Sequence, residues 1–265
     1  MYDPADMVLP PNVKFPIGTG GRHFGEDKLR AIKANYLGKI SYIDECAGRV
    51  FEALKKRGNW DNTLVVFAAD HGEFMGSHGS MTKGQMYEES AGIPLWVRPP
   101  KGQPVAGAQT DIPVSLVDVY GTIAEAAGAK VFPQRQTTSL LPIVRGEVKD
   151  DGTRIVFSEI DQKALSYMAR KGDYKWFRFG PREYLFNLKE DPYELKNLAG
   201  DPAYAGKVQE LRDAYFNWLV STQLNYGKGY VPRAILAARE AAALEKKEAS
   251  QVPAPVKKKK KAAVR

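Results

Sequence analysis

Asp70 and His71 stand directly before Gly72 at the end of the apolar run Thr63-Leu64-Val65-Val66-Phe67-Ala68-Ala69. A hard carboxylate beside an imidazole, at the carboxyl end of a strand, suits a divalent cation. The same residues also fit a turn in which Asp70 accepts backbone N–H bonds and His71 faces solvent. A hard cation takes roughly six or more donors, so this pair would need further ligands from elsewhere. Beyond it, Lys83 precedes Gly84, with His78-Gly79 before it and Tyr87-Glu88-Glu89 after it. A lysine on a glycine-bearing loop near a cation can hold sulfate or phosphate oxygens as a movable point charge; by itself it reads as an exposed lysine. His78 reads either as a substrate contact or as a loop histidine. Glu88 and Glu89 are adjacent, so their side chains diverge in a helix or a strand, which favours capping or ion pairing over a paired acid and base. The chain has no Gly-rich nucleotide loop, Ser-centred elbow, Cys/His pair or convincing nucleophile.

These residues need a scaffold, and the apolar periodicity supplies one. Over residues 28 to 57, Leu29, Ile32, Tyr36, Ile40, Ile43, Ala47, Val50 and Leu54 recur at steps of three and four, with Gly58 as a stop, predicting an amphipathic helix. The run 63 to 69 is short, continuous and rich in β-branched residues, as expected of a strand covered on both faces. A second strand is expected at 93 to 98, closed by Pro99-Pro100, and a second helix at 115 to 127. Helix, strand, strand, helix implies an α/β sheet. From Arg154 to Leu188, aromatic-rich runs separated by Gly172-Asp173 and Gly180-Pro181 predict antiparallel strands, covered by a helix over 204 to 219. Residues 1 to 27, rich in Pro and Gly, show no period and read as an extended connection; an Ala-rich helix is expected at 234 to 249. The expected divisions are 1–150 for an α/β part, 151–225 for a small antiparallel β subdomain with its helix, and 226–265 for the Ala-rich helix and a disordered tail.

Composition narrows the classes. The 265 residues are 43% hydrophobic and 26% charged, an ordinary globular balance that excludes disorder throughout. A single cysteine, Cys46, excludes an internal disulfide framework and a cysteine-built zinc site; placed mid-helix, it reads as a small packing residue. Of the net charge of +8, Lys257 to Lys261 and Arg265 supply six, leaving +2 on the remaining chain. The basic excess therefore sits in a terminal run and does not predict a specific nucleic-acid partner. No stretch approaches the roughly 18 apolar residues of a membrane span, and the start has neither a basic nor an apolar leader region.

The order Asp61-Asn62-Thr63 through Val66, Asp70-His71-Gly72, Gly76 to Gly79, Lys83-Gly84, Tyr87-Glu88-Glu89-Ser90 and Ile93-Pro94-Leu95 closely resembles the sulfatase family of the alkaline phosphatase superfamily. Gly172-Asp173-Tyr174-Lys175-Trp176, Tyr184-Leu185-Phe186-Asn187-Leu188, Asp191-Pro192, Glu194 and Asn197-Leu198 are similar to the family's C-terminal sheet region. The resemblance covers residues 1 to about 220. It implies an alkaline-phosphatase-like α/β sandwich, with a small C-terminal antiparallel sheet packed by a helix. It also implies a divalent metal, Ca2+ or in relatives Mn2+, held in part by Asp70 and His71. Lys83 matches the lysine that contacts the sulfate group and steadies charge on the bridging oxygen. Ser77 stands where an Asp is frequent.

The larger departure concerns the nucleophile. Sulfatases use a formylglycine made from a Cys- or Ser-x-Pro-Ser/Ala-Arg motif, and no such motif occurs here; Cys46 is followed by Ala47-Gly48-Arg49. The family's N-terminal aspartate pair and the His-x-Pro normally just upstream of a segment like Tyr2-Asp3-Pro4-Ala5-Asp6 are absent too. The expectation is the C-terminal portion of a sulfatase, poorly soluble alone, whose formylglycine lies in an N-terminal part or a separate N-terminal half chain. The substrate expected by resemblance is a sulfate ester of undetermined alcohol; the compartment is left open, with a periplasmic or secreted location possible for a full-length relative. The rivals are a phosphonate monoester or phosphodiester hydrolase on the same scaffold, and a non-catalytic module that binds anionic glycans.

Overall fold

Glu26 and Asp27 open the longest helix among the described residues, α1 (Glu26–Lys56), and Lys55 and Lys56 close it, so charges at both ends oppose the helix dipole favourably. The backbone then turns through Gly58 at φ +71°, a left-handed conformation that glycine adopts without strain. This computed structural model describes residues 2–19, 22–107, 109–131, 136–160 and 166–223. Backbone contacts divide the chain into the units Met1–Phe216 and Asn217–Arg265, the second described only over 217–223, which are helical. The Ala-rich helix expected at 234 to 249 and the lysine tail lie outside the described residues.

The opening segment is more ordered than its Pro and Gly content predicts. β1 (Ile17–Thr19) and β2 (Arg22–Phe24) pair antiparallel, and Pro4–Asp6 make a single 3-10 turn capped by Asp3. Buried Ile17 holds the hairpin to the rest, lying against Gly76, where a Cβ would stand 2.6 Å from its Cδ1. The alternation is too short to register against four prolines.

β3 (Val65–Ala68) pairs antiparallel with β4 (Leu95–Arg98), in the register Val65 to Arg98. The expected burial on both faces is not observed: β3 is half-buried and Trp96 is 68% exposed, stacked on Phe67 at 5.1 Å. Among the described residues neither strand has another strand partner, so the outer edges of the pair are unpaired. Tyr36, Ile40, Ile43 and Val50 on α1 are likewise exposed, while Leu29 and Ala34 are buried. The second helix, α3 (Val117–Ala126), follows the short α2 (Glu88–Ala91), and α4 (Leu141–Val144) comes next.

The best-packed region is the four-stranded meander β5 (Ile155–Ile160), β6 (Ser166–Lys171), β7 (Tyr174–Phe179) and β8 (Arg182–Asn187), antiparallel throughout. Its tight turns fall at Gly172 and Gly180, both at positive φ, as the sequence predicts. On one face, Tyr215 of α5 (Ala205–Gln223) stacks on Tyr167 and approaches Trp176. On the other, Met168, Phe177 and Phe186 bury against Phe74, Met86 and Tyr87. Each such buried side chain is worth about 1.5–3 kcal/mol. The segment from Phe74 to Tyr87 is thus a plug in the core, and that anchoring positions the residues between its ends. No described helix is long and apolar enough to cross a membrane.

Candidate active site

Asp70 follows the end of β3, and its carboxylate turns back on its neighbour: Oδ1 accepts the His71 backbone N–H at 3.0 Å. Oδ2 lies 3.3 Å from His71 Nε2. His71 Nδ1 meets the Gly72 carbonyl oxygen at 2.8 Å, which requires the proton on Nδ1 and leaves a lone pair on Nε2. Two acceptors therefore face each other, an arrangement that a cation between or beside them would satisfy. Here the Lys83 ammonium donates to His71 Nε2.

The loop delivers Lys83 to this point through local anchors. Gly72 N–H donates to Ser90 O at 2.9 Å, and a Cβ on Gly72 would sit 2.1 Å from Glu89 O, so only glycine permits this approach to α2. Phe74 N–H donates to Thr82 O at 2.9 Å, and the Glu73 carboxylate accepts the Met75 and Thr82 backbone N–H groups. Met75 (φ 48°), His78 (φ 51°) and Thr82 (φ 65°) all occupy the left-handed region, at a cost of order 1 kcal/mol each. The buried Phe74 and Met86 fix both ends of the segment and hold it in this shape.

Asp70, His71 and Lys83 line one side of an open cleft of about 560 Å³; Glu88 and Arg170 line it as well. The donors fit a hard divalent cation. Ligands 2.3–2.6 Å from one Ca2+ at near right angles stand roughly 3.2–3.7 Å apart, close to the Asp70 Oδ2 to His71 Nε2 separation. The Nδ1 contact to a backbone carbonyl is the support that metal-bound imidazoles receive.

His78 does not line this cleft. It stacks on Tyr87 at 3.7 Å between ring centres, with Nε2 3.7 Å from Glu89 and 3.2 Å from the amide nitrogen of buried Asn12. Burial lowers its pKa, against the opposing pull of Glu89. His78, Glu89 and Glu194 could by spacing alone hold an ion. Glu194 Oε1 is 2.6 Å from Lys175 Nζ and Glu89 Oε1 accepts from Asn12, whereas Glu89 Oε2 is buried without a hydrogen-bond partner among the described residues; the Lys175 ammonium beside the cluster opposes a second cation there.

Behind the cleft, Lys175 Nζ also donates to Glu88 Oε1 at 2.8 Å, while Glu194 Oε2 accepts the Glu88 backbone N–H at 2.6 Å. Glu88 is therefore the ion-pair residue its adjacency to Glu89 suggests. Lys175, Glu194, Arg170 and Asn12 were not singled out from the sequence for this site; the available signal was a lysine at an inward position of an aromatic strand. Burial pushes the Glu194 carboxyl up to about 7 despite Lys175. Glu88 meets the same burial penalty, but Lys175 and Arg170 hold it below the usual range. Because folded Glu194 binds its proton more tightly than the unfolded chain does, its contribution is full below pH 4.5 and is lost as pH rises to about 7. The Glu88 contribution runs the other way, present above pH 4.5 and lost below it. Glu194→Gln should flatten the fall in Tm between pH 4.5 and 7; an unchanged slope would assign that fall to other groups.

Comparison with known proteins identifies the family. The sulfatase family profile matches residues 14–129, and that of the N-sulphoglucosamine sulphohydrolase C-terminal region matches residues 76–218. The multifunctional alkaline phosphatase superfamily protein PehA of Trinickia caryophylli is 33% identical over 219 residues, covering 76% of this chain and 43% of PehA. The choline-sulfatase of Rhizobium meliloti is 32% identical over 181 residues, covering 67% of this chain and 35% of that enzyme. Among solved structures, BT4656 in complex with its substrate D-glucosamine-2-N,6-O-disulfate superposes with a TM-score of 0.69 at 29% identity, over 76% of this chain and 42% of that one. The phosphonate monoester hydrolase of Silicibacter pomeroyi gives a TM-score of 0.71 at 25% identity, over 84% of this chain and 52% of that one. Fold and sequence together define an α/β protein of the alkaline phosphatase superfamily. Within it, the chain belongs to the sulfatase family. It spans less than half the length of these two curated relatives.

Proposed function

We propose that this chain supplies the cation-binding and anion-binding side of a sulfuric ester hydrolase. The supporting observation is the convergence of Asp70 Oδ2, His71 Nε2 and Lys83 Nζ at one side of the cleft. Asp70 and His71 would hold a divalent cation, Ca2+ as the first choice and Mn2+ as the alternative, which when bound supplies positive charge to a sulfate oxygen. Lys83 then turns from His71 toward the substrate and its ammonium compensates the charge growing on the bridging oxygen as the alcohol leaves. Gly72 and the Phe74 to Tyr87 plug keep that lysine within reach. The nucleophile that family resemblance implies is a formylglycine, and no Cys- or Ser-x-Pro-Ser/Ala-Arg motif that would yield one occurs in this sequence.

The second reading, phosphonate monoester or phosphodiester hydrolysis, has the structural likeness to a phosphonate monoester hydrolase in its favour. Cation and lysine serve either tetrahedral anion. Rates on 4-nitrophenyl sulfate and 4-nitrophenyl phenylphosphonate, measured on the protein isolated from its source cells, decide between them. A sulfate preference is expected; a large phosphonate preference would replace the sulfatase reading.

A further inference from the structure

Arg170 is a cation in the cleft wall that the proposed reaction leaves unused. It sits on β6, inside the four-stranded sheet, and lines the same cleft as Lys83. Its Nε reaches the Gly172 carbonyl oxygen at 3.4 Å, a marginal contact. Its Nη1 is 3.8 Å from Glu88 Oε2, beyond hydrogen-bond range, while Glu88 Oε1 is taken by Lys175 at 2.8 Å. Among the described residues the terminal guanidinium nitrogens therefore have no hydrogen-bond acceptor. A half-buried fork of donors whose carboxylate neighbour, Glu88, lies beyond hydrogen-bond range matches a carboxylate or sulfate, which it can grip through two parallel bonds.

Arg170 reaches the cleft from a different element than the residues assigned to the reacting group. Asp70, His71 and Lys83 come from the end of β3 and the loop after it, whereas Arg170 comes from the C-terminal sheet. A cleft of about 560 Å³ is the size of a site for a small molecule, large enough for a sugar ring between two anionic groups. We infer that Arg170 is a specificity-determining residue that binds a second anionic group, sulfate or carboxylate, on a substrate whose first sulfate lies at Lys83. This rests on the anion site proposed above.

Calorimetric titration of the full chain with galactose 6-sulfate and galactose 2,6-disulfate tests it. The disulfate should bind about tenfold more tightly, as expected for a charge-assisted pair in a partly buried site. Arg170→Gln should remove that preference while leaving monosulfate affinity within about twofold. Arg170→Lys keeps the charge without the fork and should lose most of the preference, and it serves if the glutamine variant does not fold. Lys83→Ala should weaken both sugars while preserving their ratio. Equal affinities in the unaltered chain, or a preference that survives Arg170→Gln, would overturn the Arg170 assignment and leave the Lys83 site standing. Binding of neither sugar by the unaltered chain would overturn the Lys83 site and this inference with it.

Discussion

Lys175→Met is expected to destabilise the folded chain by about 3–5 kcal/mol, the cost of breaking a buried ion pair from one side. The Lys175 side chain is 0% exposed, and its ammonium stands 2.8 Å from Glu88 and 2.6 Å from Glu194. Without it, two carboxylates in a poorly solvated site lose their only close ammonium, and Glu194 also accepts the Glu88 backbone N–H that begins α2. Urea unfolding at pH 7 should show the loss as a lower midpoint. At pH 5 the loss should be smaller, because Glu194 can then carry its own proton. Adding Glu194→Leu should recover part of the stability, since an apolar pair avoids the stranded charge. A single-variant cost below about 1 kcal/mol would mean that the network is solvated and contributes little.

Lys83→Ala should lower kcat for sulfate ester hydrolysis by about 10²–10³-fold, the usual consequence of removing a group that compensates transition-state charge. The lysine is exposed and belongs to the loop rather than the core, so Tm should hardly move. Lys83→Arg should restore little, because a planar guanidinium on a different stem cannot reproduce a compact ammonium at the same point. Single-turnover rates on 4-nitrophenyl sulfate, with protein isolated from its source cells, provide the measurement. A loss below about threefold would remove Lys83 from the reaction and reduce its contact with His71 to a surface hydrogen bond.

The C-terminal sheet was legible because its signals are local. Gly172-Asp173 and Gly180-Pro181 mark turns, and the aromatic runs between them have strand length. The α1 periodicity likewise needed no tertiary information, and the helix begins and ends within a few residues of expectation. Burial of β3 was misjudged because a continuous apolar run shows that both faces want cover, not that cover is present. Asp70, His71 and Lys83 could be picked out by residue type, but their convergence depends on Phe74 and Met86 plugging a sheet about a hundred residues further along the chain. The same limit concealed Lys175, Glu194 and Arg170. Their roles arise from pairing across β6, β7 and α2, and a lysine or glutamate read alone is most often a surface residue.

Calcium titration into the full chain by calorimetry tests the central claim most directly, with Asp70→Ala and Glu89→Ala measured beside it. Asp70 belongs to the more exposed pair at the cleft, and Glu89 to the half-buried cluster with His78 and Glu194. One calcium site is expected in the unaltered chain, abolished by Asp70→Ala and retained by Glu89→Ala. Binding that survives Asp70→Ala and disappears with Glu89→Ala would move the cation to the half-buried cluster and contradict the assignment of Asp70 and His71.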